Sequence, residues 1–328
     1  MVKPAKKNEN SWLVKLKFYT LSLMIVMLGM GALWGSSQVV GYSQNHLQLV
    51  GDQLQLESSN FKPPVSQVLA VEATPKPLFI EKGLPAPVFE SVAVLAEDLE
   101  TGKVLYSKNI NLRLSPASTT KIMTAVVGMD YYKLAQPLTV PKNALVGGST
   151  MGLNLGEELT FRSLLYGMML NSGNDAAFTI AANYPGGVSG FIDAMNQKAI
   201  SLGLTDTKFQ NPAGFDGDGH FSSAADLAKI SRAAMANPQF AKIVGTKETT
   251  VTALDQSKSH LLHNLNQLLN EPGVIGIKTG TTELAGENLV GLIEQDGRKI
   301  LTVVLGSKDR FRETKQLLQW VADNYDWN

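Results

Sequence analysis

The sequence predicts an α+β fold, with an antiparallel sheet of strands from both ends of the folded region and a large helical insert between them. The first observation is a hairpin pattern near 89–107, where two apolar runs flank a Glu-Thr-Gly turn. The second is the run "NLVGLIEQDGRKILTVVLGS", in which Asp296-Gly297 separates two more apolar strands. The third is the helical character of the residues between these hairpins. Terminal strands around a helical insert predict one domain, not two sequential ones.

Helix signals divide the insert into separate elements. Ser115-Pro116 precedes a predicted helix over 117–132 and is expected to cap it. Gly203 ends a later helix, and a last helix over 309–325 follows the second hairpin. The other predicted helices contain the runs "TFRSLLYGMML" near 160–170, "DAAFTIAANY", "GFIDAMNQKAISLG" and "SAADLAKISRAAMAN".

Composition excludes several classes of function. The chain has 328 residues, no formal net charge and 44% apolar residues, so it can bury a sizeable core and carries no basic excess for nucleic acid. It contains no cysteine. Disulfides, thiolate metal sites and a cysteine nucleophile are therefore excluded, and nucleic acid is not expected as a partner.

The N-terminus predicts a membrane segment. Five lysines lie within residues 1–17, and an uncharged run of 18 residues follows at 18–35. Such a run spans about 27 Å as a helix, and its basic flank stays in the cytoplasm. We expect a single anchor with the rest of the chain outside the cytoplasm. A cleaved signal peptide is the alternative, since 30–41 offer weak small-x-small sites. Residues 36–87, rich in Ser, Gln, Asn and Pro, are predicted to be a linker to a domain at 88–328.

A serine and a lysine lie three positions apart at the start of the first predicted helix. Ser118 and Lys121 would share one helix face, so the amine can reach the hydroxyl and, if desolvated, take its proton. The spacing alone is not specific, because Ser59 and Lys62 in the predicted linker have it too. A prediction of catalysis therefore needs further motifs elsewhere in the chain.

Two more motifs supply that support. Ser172-Gly173-Asn174 lies between two predicted helices, and Lys278-Thr279-Gly280 lies in a predicted strand, "GVIGIKTGTT". Ser-x-x-Lys on a helix, Ser-x-Asn on a loop and Lys-Thr-Gly on a strand, in that order, form the motif set of penicillin-binding proteins and class A β-lactamases. The sequence resembles the D-alanyl-D-alanine carboxypeptidases, the low-molecular-mass penicillin-binding proteins, from about residue 85 to 325. The resemblance implies a β-lactamase/transpeptidase-like fold.

The resemblance also implies catalytic roles. Ser118 would attack the carbonyl between two D-alanines of a peptidoglycan stem peptide, with Lys121 as its base. Ser172 and Asn174 would line the opposite wall, relaying a proton and holding the substrate backbone. The backbone N–H groups of Ser118 and Thr281 would form the oxyanion hole. β-Lactams would be covalent inhibitors, and the enzyme would act in the bacterial cell envelope.

A second group of residues is implied in substrate binding. Lys278 and Thr279, followed by Gly280 in the same motif, would bind the terminal carboxylate of the substrate. Arg310 is a weaker candidate for the same role. It is equally explained as a surface arginine at a helix start that pairs with Glu313.

The histidines do not suggest a metal centre or a cofactor. His260 and His263 are expected to share a helical face, but no third ligand is in view, and the usual site needs three or four. His220 and Asp226 are expected to hold a loop. No cofactor and no metal are predicted.

Three other functions remain open at this stage. D,D-endopeptidase action on cross-links is possible because the interval between Ser118 and Ser172 is short, which trims the loops beside the pocket. A catalytically silent wall-binding protein would keep the fold, but it predicts a broken motif, and all three are intact. A serine hydrolase of other substrates would cleave an ester reporter without acting on a D-Ala-D-Ala peptide.

Negligible turnover of the β-lactam nitrocefin is expected. Class A β-lactamases use a glutamate between Ser-x-Asn and Lys-Thr-Gly to hydrolyse the acyl-enzyme, and no glutamate lies between Thr160 and Lys247. Penicillin should instead form a long-lived ester on Ser118. The measurement is the steady-state rate of nitrocefin hydrolysis by purified protein. A turnover number of about 10 per second or more, as in ordinary efficient enzymes, would contradict the expectation.

Overall fold

The computed structural model describes residues 79–295 and 297–327. The predicted basic segment at 1–17, the predicted membrane segment at 18–35 and most of the predicted linker lie outside the described residues. Asp296, the first residue of the predicted second turn, lies outside them as well.

A five-stranded antiparallel sheet forms the centre of the domain, as the sequence predicts. The five strands are β2 (Ala93–Asp98), β3 (Val104–Lys108), β8 (Val274–Thr282), β9 (Gly286–Gln295) and β10 (Arg298–Ser307). Their order in the sheet is β3-β2-β10-β9-β8, so the N-terminal hairpin pairs with β10, the last of these strands in the chain.

Seven helices are described, six of them in the insert. The prediction of helices near 160–170, 223–237 and 309–325 is confirmed, and side chains cap all three: Thr160, Ser223 and Asp309 each accept a backbone N–H of the first turn. The helices are α1 (Lys121–Tyr131), α2 (Phe161–Met169), α3 (Asn174–Ala182), α4 (Gly187–Ser201), α5 (Ala224–Met235), α6 (Pro238–Val244) and α7 (Arg310–Asn324).

The start of the first helix differs from the prediction. Residues Ala117–Thr120 form a 3₁₀ turn, and the α-helix begins only at Lys121. Ser115 does not cap the helix, because its hydroxyl donates to Asp216, 2.6 Å away, on a distant loop. A tertiary partner has taken the side chain that the local pattern assigned to the cap.

Both faces of the sheet are covered. In β2, Ala93 and Leu95 belong to the large core shared with the helical insert, while Val94 and Ala96 belong to a smaller core with α7. This alternation follows from the two-residue period of a strand. The domain is therefore a layered structure, with the insert on one face of the sheet and α7 on the other.

The sequence analysis missed three short strand pairs and one helix. β1 (Phe79–Glu81) lies in the predicted linker but pairs with β11 (Tyr325–Trp327). The other pairs are β4 (Pro137–Thr139) with β5 (Glu158–Thr160), and β6 (Glu248–Thr252) with β7 (Ser259–His263). Strands of three to five residues show too few alternations to be recognised. The missed helix, α6, has a readable signal in Asn237-Pro238, an N-cap followed by proline at N1.

No helix within the described part of the chain has the length and apolarity needed to cross a bilayer.

A buried carboxylate links the sheet to α7. Glu313 is 1% exposed, and it accepts the backbone N–H groups of Glu90 and Ser91 just before β2. Its other oxygen accepts the hydroxyl of Ser307 at the end of β10. The carboxylate therefore satisfies donors from two distant segments.

Replacing Glu313 with alanine should lower the free energy of unfolding by roughly 2–3 kcal/mol, because buried donors lose their acceptor. Urea unfolding measures the change. The matched control is Lys315→Ala on the same helix, which removes an exposed pair with Glu271 and should change stability by less than about 0.5 kcal/mol. Equal effects of the two substitutions would contradict this account of Glu313.

Candidate active site

The three sequence motifs meet at one place. Ser118 lies on the 3₁₀ turn before α1, and strand β8 passes directly beside it. A Cβ atom on Gly280 would lie 2.8 Å from the backbone nitrogen of Ser118, so only glycine allows this approach. On another side, Gly214 (φ +94°) packs so closely that a Cβ would overlap the carbonyl oxygen of Ala117. The turn that carries Ser118 is therefore held between two glycine contacts.

Lys121 lies buried below the serine. Its Nζ is 2.9 Å from Ser118 Oγ, 2.7 Å from Asn174 Oδ1 and 2.6 Å from the carbonyl oxygen of Ala213. The amide and carbonyl oxygens can only accept. A neutral amine has two N–H bonds for these two acceptors, and its lone pair then faces the serine hydroxyl. The contacts are thus fully satisfied by the form of lysine that can accept a proton.

Electrostatics favour this neutral form. Burial holds the pKa of Lys121 well below its usual value, the charge of Lys278 lowers it further, and Asp175 opposes the shift. Desolvation penalises the ammonium, and a nearby like charge does so too. The arrangement can therefore activate a serine hydroxyl for nucleophilic attack.

The Ser-x-Asn motif forms the wall across from the serine. Ser172 is 3% exposed and adopts a left-handed conformation (φ 58°), which turns the chain into α3. Asn174 donates from Nδ2 to the carbonyl oxygen of Gly147, 2.9 Å away, and from its backbone N–H to the carbonyl oxygen of Ser149. Because a carbonyl only accepts, the amide orientation is fixed, and Oδ1 points to Lys121.

The Lys-Thr-Gly motif and Arg310 lie along the end of β8. Lys278 is 1% exposed, its Nζ donates to the carbonyl oxygen of Thr279 at 3.0 Å, and burial together with the charge of Arg310 lowers its pKa to about 7. Arg310 donates to the carbonyl oxygen of Gly280 at 2.9 Å and to the hydroxyl of Thr281. Two cationic side chains thus converge on this strand end.

The expected pairing of Arg310 with Glu313 is wrong. The guanidinium of Arg310 pairs instead with Glu287, with 4.0 Å between Nε and Oε2. Glu313 accepts backbone N–H groups elsewhere. The side chain of Arg310 is 15% exposed, so it is not a free surface arginine.

Sequence reasoning missed the carbonyl of Ala213 and the residues that present it. Asn211 accepts the backbone N–H groups of Ala213, Gly214 and Phe215, which curls the loop so that the carbonyl of Ala213 points to Lys121. An Asn-Pro-x-Gly run is a recognisable turn signal. The run alone does not indicate which side chain the turn will contact.

Asp175 was also missed. Its carboxylate accepts the backbone N–H groups of Met151, Gly152 and Leu153, each at 3.0 Å, and so attaches residues 147–153 to the wall formed by Ser172 and Asn174. An acidic residue in the first turn of a helix is a common pattern, so the sequence gives it no distinction.

One of the two expectations about the histidines is confirmed, and the other is wrong. His220 holds a loop, as expected: Nδ1 accepts from Gln210 N, so Nε2 carries the proton for Thr120 Oγ1, 2.8 Å away, and burial lowers its pKa to about 4. The expectation that His260 and His263 share a helical face is wrong. They lie in β7, where His260 is buried and His263 exposed, because an odd separation along a strand puts side chains on opposite faces.

No group of three or more His, Asp or Glu side chains in the described ranges is placed to hold a metal ion.

Comparison with known proteins decides the family. Residues 81–309 match the family model described as D-alanyl-D-alanine carboxypeptidase. The chain belongs to the D-alanyl-D-alanine carboxypeptidase family. It is 36% identical to the D-alanyl-D-alanine carboxypeptidase DacF of Bacillus subtilis and 39% identical to DacC of Escherichia coli, over 71% and 73% of this chain. The aligned regions span 62% and 63% of those two relatives.

Two further similar proteins extend the comparison. A Pseudomonas aeruginosa protein named D-alanyl-D-alanine endopeptidase is 33% identical over 78% of this chain and 84% of its own length. The crystal structure of the Streptomyces K15 DD-transpeptidase superposes with a TM-score of 0.70 at 32% identity, covering 73% of this chain and all of that one. The mixed helix and sheet fold of this chain is therefore transpeptidase-like.

Stability should rise with pH in a way that depends on Lys278. Its pKa is about 7 in the folded protein and near 10.4 in an unfolded chain, so between these values the unfolded state binds more protons. Lys278→Met removes the group. Between about pH 7 and pH 9, the free energy of unfolding of wild type should rise by about 1–2 kcal/mol relative to that of the variant.

Denaturant unfolding of both proteins across this range measures the difference, in which groups remote from Lys278 cancel. A difference that stays constant with pH would mean that Lys278 titrates normally in the folded protein.

Proposed function

We propose that this protein is a serine D,D-carboxypeptidase, which removes the terminal D-alanine from peptidoglycan stem peptides through an acyl-enzyme on Ser118. The single observation that carries the proposal is the contact set of Lys121. Two of its three partners accept only, so a neutral amine that donates to both would turn its lone pair to the third partner, the hydroxyl of Ser118. Family membership makes D-Ala-D-Ala the substrate to test first.

Acylation would proceed in two proton transfers. The oxygen of Ser118 attacks the carbonyl carbon between the two D-alanines while its proton moves to Lys121. Backbone N–H groups of Ser118 and Thr281 would stabilise the resulting oxyanion. The C–N bond then breaks, and Ser172 would relay the proton from Lys121 to the departing amine of D-alanine. Asn174, fixed between Gly147 and Lys121, would hold the substrate backbone.

Deacylation would use water in place of the amine. Water attacks the ester carbon, its proton passes to Lys121, and Ser118 leaves with a proton returned. In a β-lactam the leaving amine stays attached to the acyl group, so it blocks the approach of water. We therefore propose that penicillins form stable adducts with Ser118.

The strand end at β8 suits a carboxylate. Lys278 and Arg310 are both buried or nearly so, and burial lowers the pKa of each. The charge of Arg310 lowers the pKa of Lys278 further, because the two cations lie close together. An incoming carboxylate would offset both charges. Thr279 and Gly280, next to Lys278 in the strand, would complete this subsite, which selects peptides with a free C-terminus.

The cellular setting is part of the proposal. The family description names a D-alanyl-D-alanine carboxypeptidase, whose substrate would be a peptide of the bacterial wall. The basic and apolar runs at 1–17 and 18–35 suit an N-terminal anchor or a signal peptide. We propose that residues 88–328 form the peptidase domain on the outer face of the plasma membrane. The predicted linker would set its distance from the bilayer.

D,D-endopeptidase action on cross-links is the second candidate. A family relative carries that name, and the substrate of an endopeptidase has the same D-alanyl carbonyl with a longer leaving group. The carboxylate subsite suits the linear peptide, which always carries a carboxylate on the residue after the scissile bond.

The test measures acylation and product release in the same samples. Wild-type protein should form a stable adduct with a fluorescent penicillin, detected on a gel and by intact mass, and should release D-alanine from a peptide ending in D-Ala-D-Ala. Ser118→Ala should lose both. Ser59→Ala is the matched control, since Ser59 has the same spacing to Lys62, and it should behave as wild type.

Each failure has a distinct meaning. A folded wild-type protein without adduct would overturn the acyl-enzyme mechanism. Adduct formation with faster cleavage of a cross-linked dimer than of the linear peptide would favour the endopeptidase.

A further inference from the structure

A buried histidine and a buried glutamate lie outside the proposed catalytic set. His260, in β7, and Glu157, just before β5, have side chains that are only 2% and 4% exposed, with 2.5 Å between Nε2 and Oε1. The second ring nitrogen, Nδ1, is 3.0 Å from the carbonyl oxygen of Met151. The pair joins the β6–β7 hairpin to the loop at 147–157.

The partners define the protons of this pair. The carbonyl of Met151 can only accept, so Nδ1 of His260 carries a hydrogen. The second carboxylate oxygen of Glu157 accepts the backbone N–H of Asn154 at 2.9 Å. One further proton must therefore lie between Nε2 and Oε1. With it, all four polar atoms of the two side chains are satisfied, which a buried pair requires.

The other side of the same loop contacts the wall formed by Ser172 and Asn174. Met151 donates its backbone N–H to Asp175 and accepts from His260, so both of its backbone groups are bound. Two residues earlier, the carbonyl of Ser149 accepts the backbone N–H of Asn174 at 2.7 Å. The loop is thus fixed to the hairpin on one side and to the Ser-x-Asn wall on the other.

We propose that His260 and Glu157 are positioning residues for the cleavage reaction, acting through Met151 to hold the loop at 147–153 against Asn174. The inference rests on the proposed function, because the effect of the pair reaches chemistry only through the amide that faces Lys121. Without the pair, the loop keeps its contact with Lys258 in the hairpin turn but loses its buried attachment to β7. Asn174 then samples orientations in which its oxygen leaves Lys121.

Charged groups on neighbouring elements contribute to the surroundings of the pair. Lys258 donates to the carbonyl oxygen of Gly152 and supports the same loop from the hairpin turn. Asp175 binds the loop from α3, and the exposed Glu158 bonds to the hydroxyl of Thr139 on β4. Glu158, adjacent to Glu157 but turned away from His260, provides a natural control.

Three variants separate positioning from folding. Glu157→Gln can donate its amide N–H to Nε2 of a neutral His260 and accept from Asn154, so it keeps every contact without the shared proton. The double variant Glu157→Leu with His260→Leu replaces the pair by apolar side chains and so leaves no unpaired buried charge. It removes the partners of the Met151 carbonyl and the Asn154 N–H. Glu158→Leu is the control.

The rate of acylation by benzylpenicillin is the first readout. Glu157→Gln and Glu158→Leu should acylate within about twofold of wild type, while the double variant should be slower by about tenfold or more, as expected for a misplaced catalytic group. The loss should fall mainly on the limiting rate constant, because Lys278 and Arg310, which would bind the carboxylate, are untouched. A double variant that acylates at the wild-type rate would overturn the inference.

Hydrogen exchange of the peptide spanning 147–157 is the second readout and needs no catalysis. Its amides should exchange at least about tenfold faster in the double variant and at the wild-type rate in Glu157→Gln. Equal exchange in wild type and the double variant would overturn the tether, even if the protein acylates. Absence of acylation in wild type, with the exchange difference intact, would overturn the proposed function instead.

Discussion

The burial of one lysine amine is the constraint on which the site depends. Lys121 has no exposure to solvent, so its Nζ must find partners within the protein, and these come from three separate segments of the chain. One is its own turn, one is the start of α3, and one is the loop that presents Ala213. A full ammonium charge at this depth is costly, and a neutral amine with two acceptors and one hydroxyl partner avoids that cost. Burial thus lowers the pKa of Lys121, and the two acceptors direct the lone pair of its neutral amine toward Ser118.

The sheet makes these contacts possible by fixing the distance between the insert and β8. Gly280 removes the side chain that would separate the strand from the backbone of Ser118, and the central strands are buried on both faces. A strand buried in this way has little freedom to slide, because a shift of one residue would exchange its two faces. Rigid elements therefore carry Lys278, while loops carry Ala213 and Gly147. The loops are in turn held by side chains that take no direct part, including Asn211 and Asp175.

Two lysines share the pocket, and their different surroundings suit different tasks. Lys121 is surrounded by acceptors and has its pKa held far below the usual value, whereas Lys278 retains a pKa of about 7 and lies beside Arg310. One is therefore suited to take a proton, and the other to attract an anion. The charge of Arg310 disfavours that of Lys278, so an incoming carboxylate would be attracted by both.

The sequence by itself determined the sheet strands, six of the helices and the order of the three motifs, because long apolar runs and turn signals are local properties. It also determined the family, since the motif order and spacing are specific where a single motif is not. Only the tertiary structure decided that Ser115 bonds to Asp216 instead of capping a helix, and that Arg310 turns to β8 instead of Glu313. It alone brought Ala213, Asp175 and the pair of His260 with Glu157 into the surroundings of the site. These outcomes depend on partners that are distant in sequence, and often on backbone N–H or carbonyl groups. Nearly every residue has such backbone groups, so no local pattern of side chains can reveal which of them will be used.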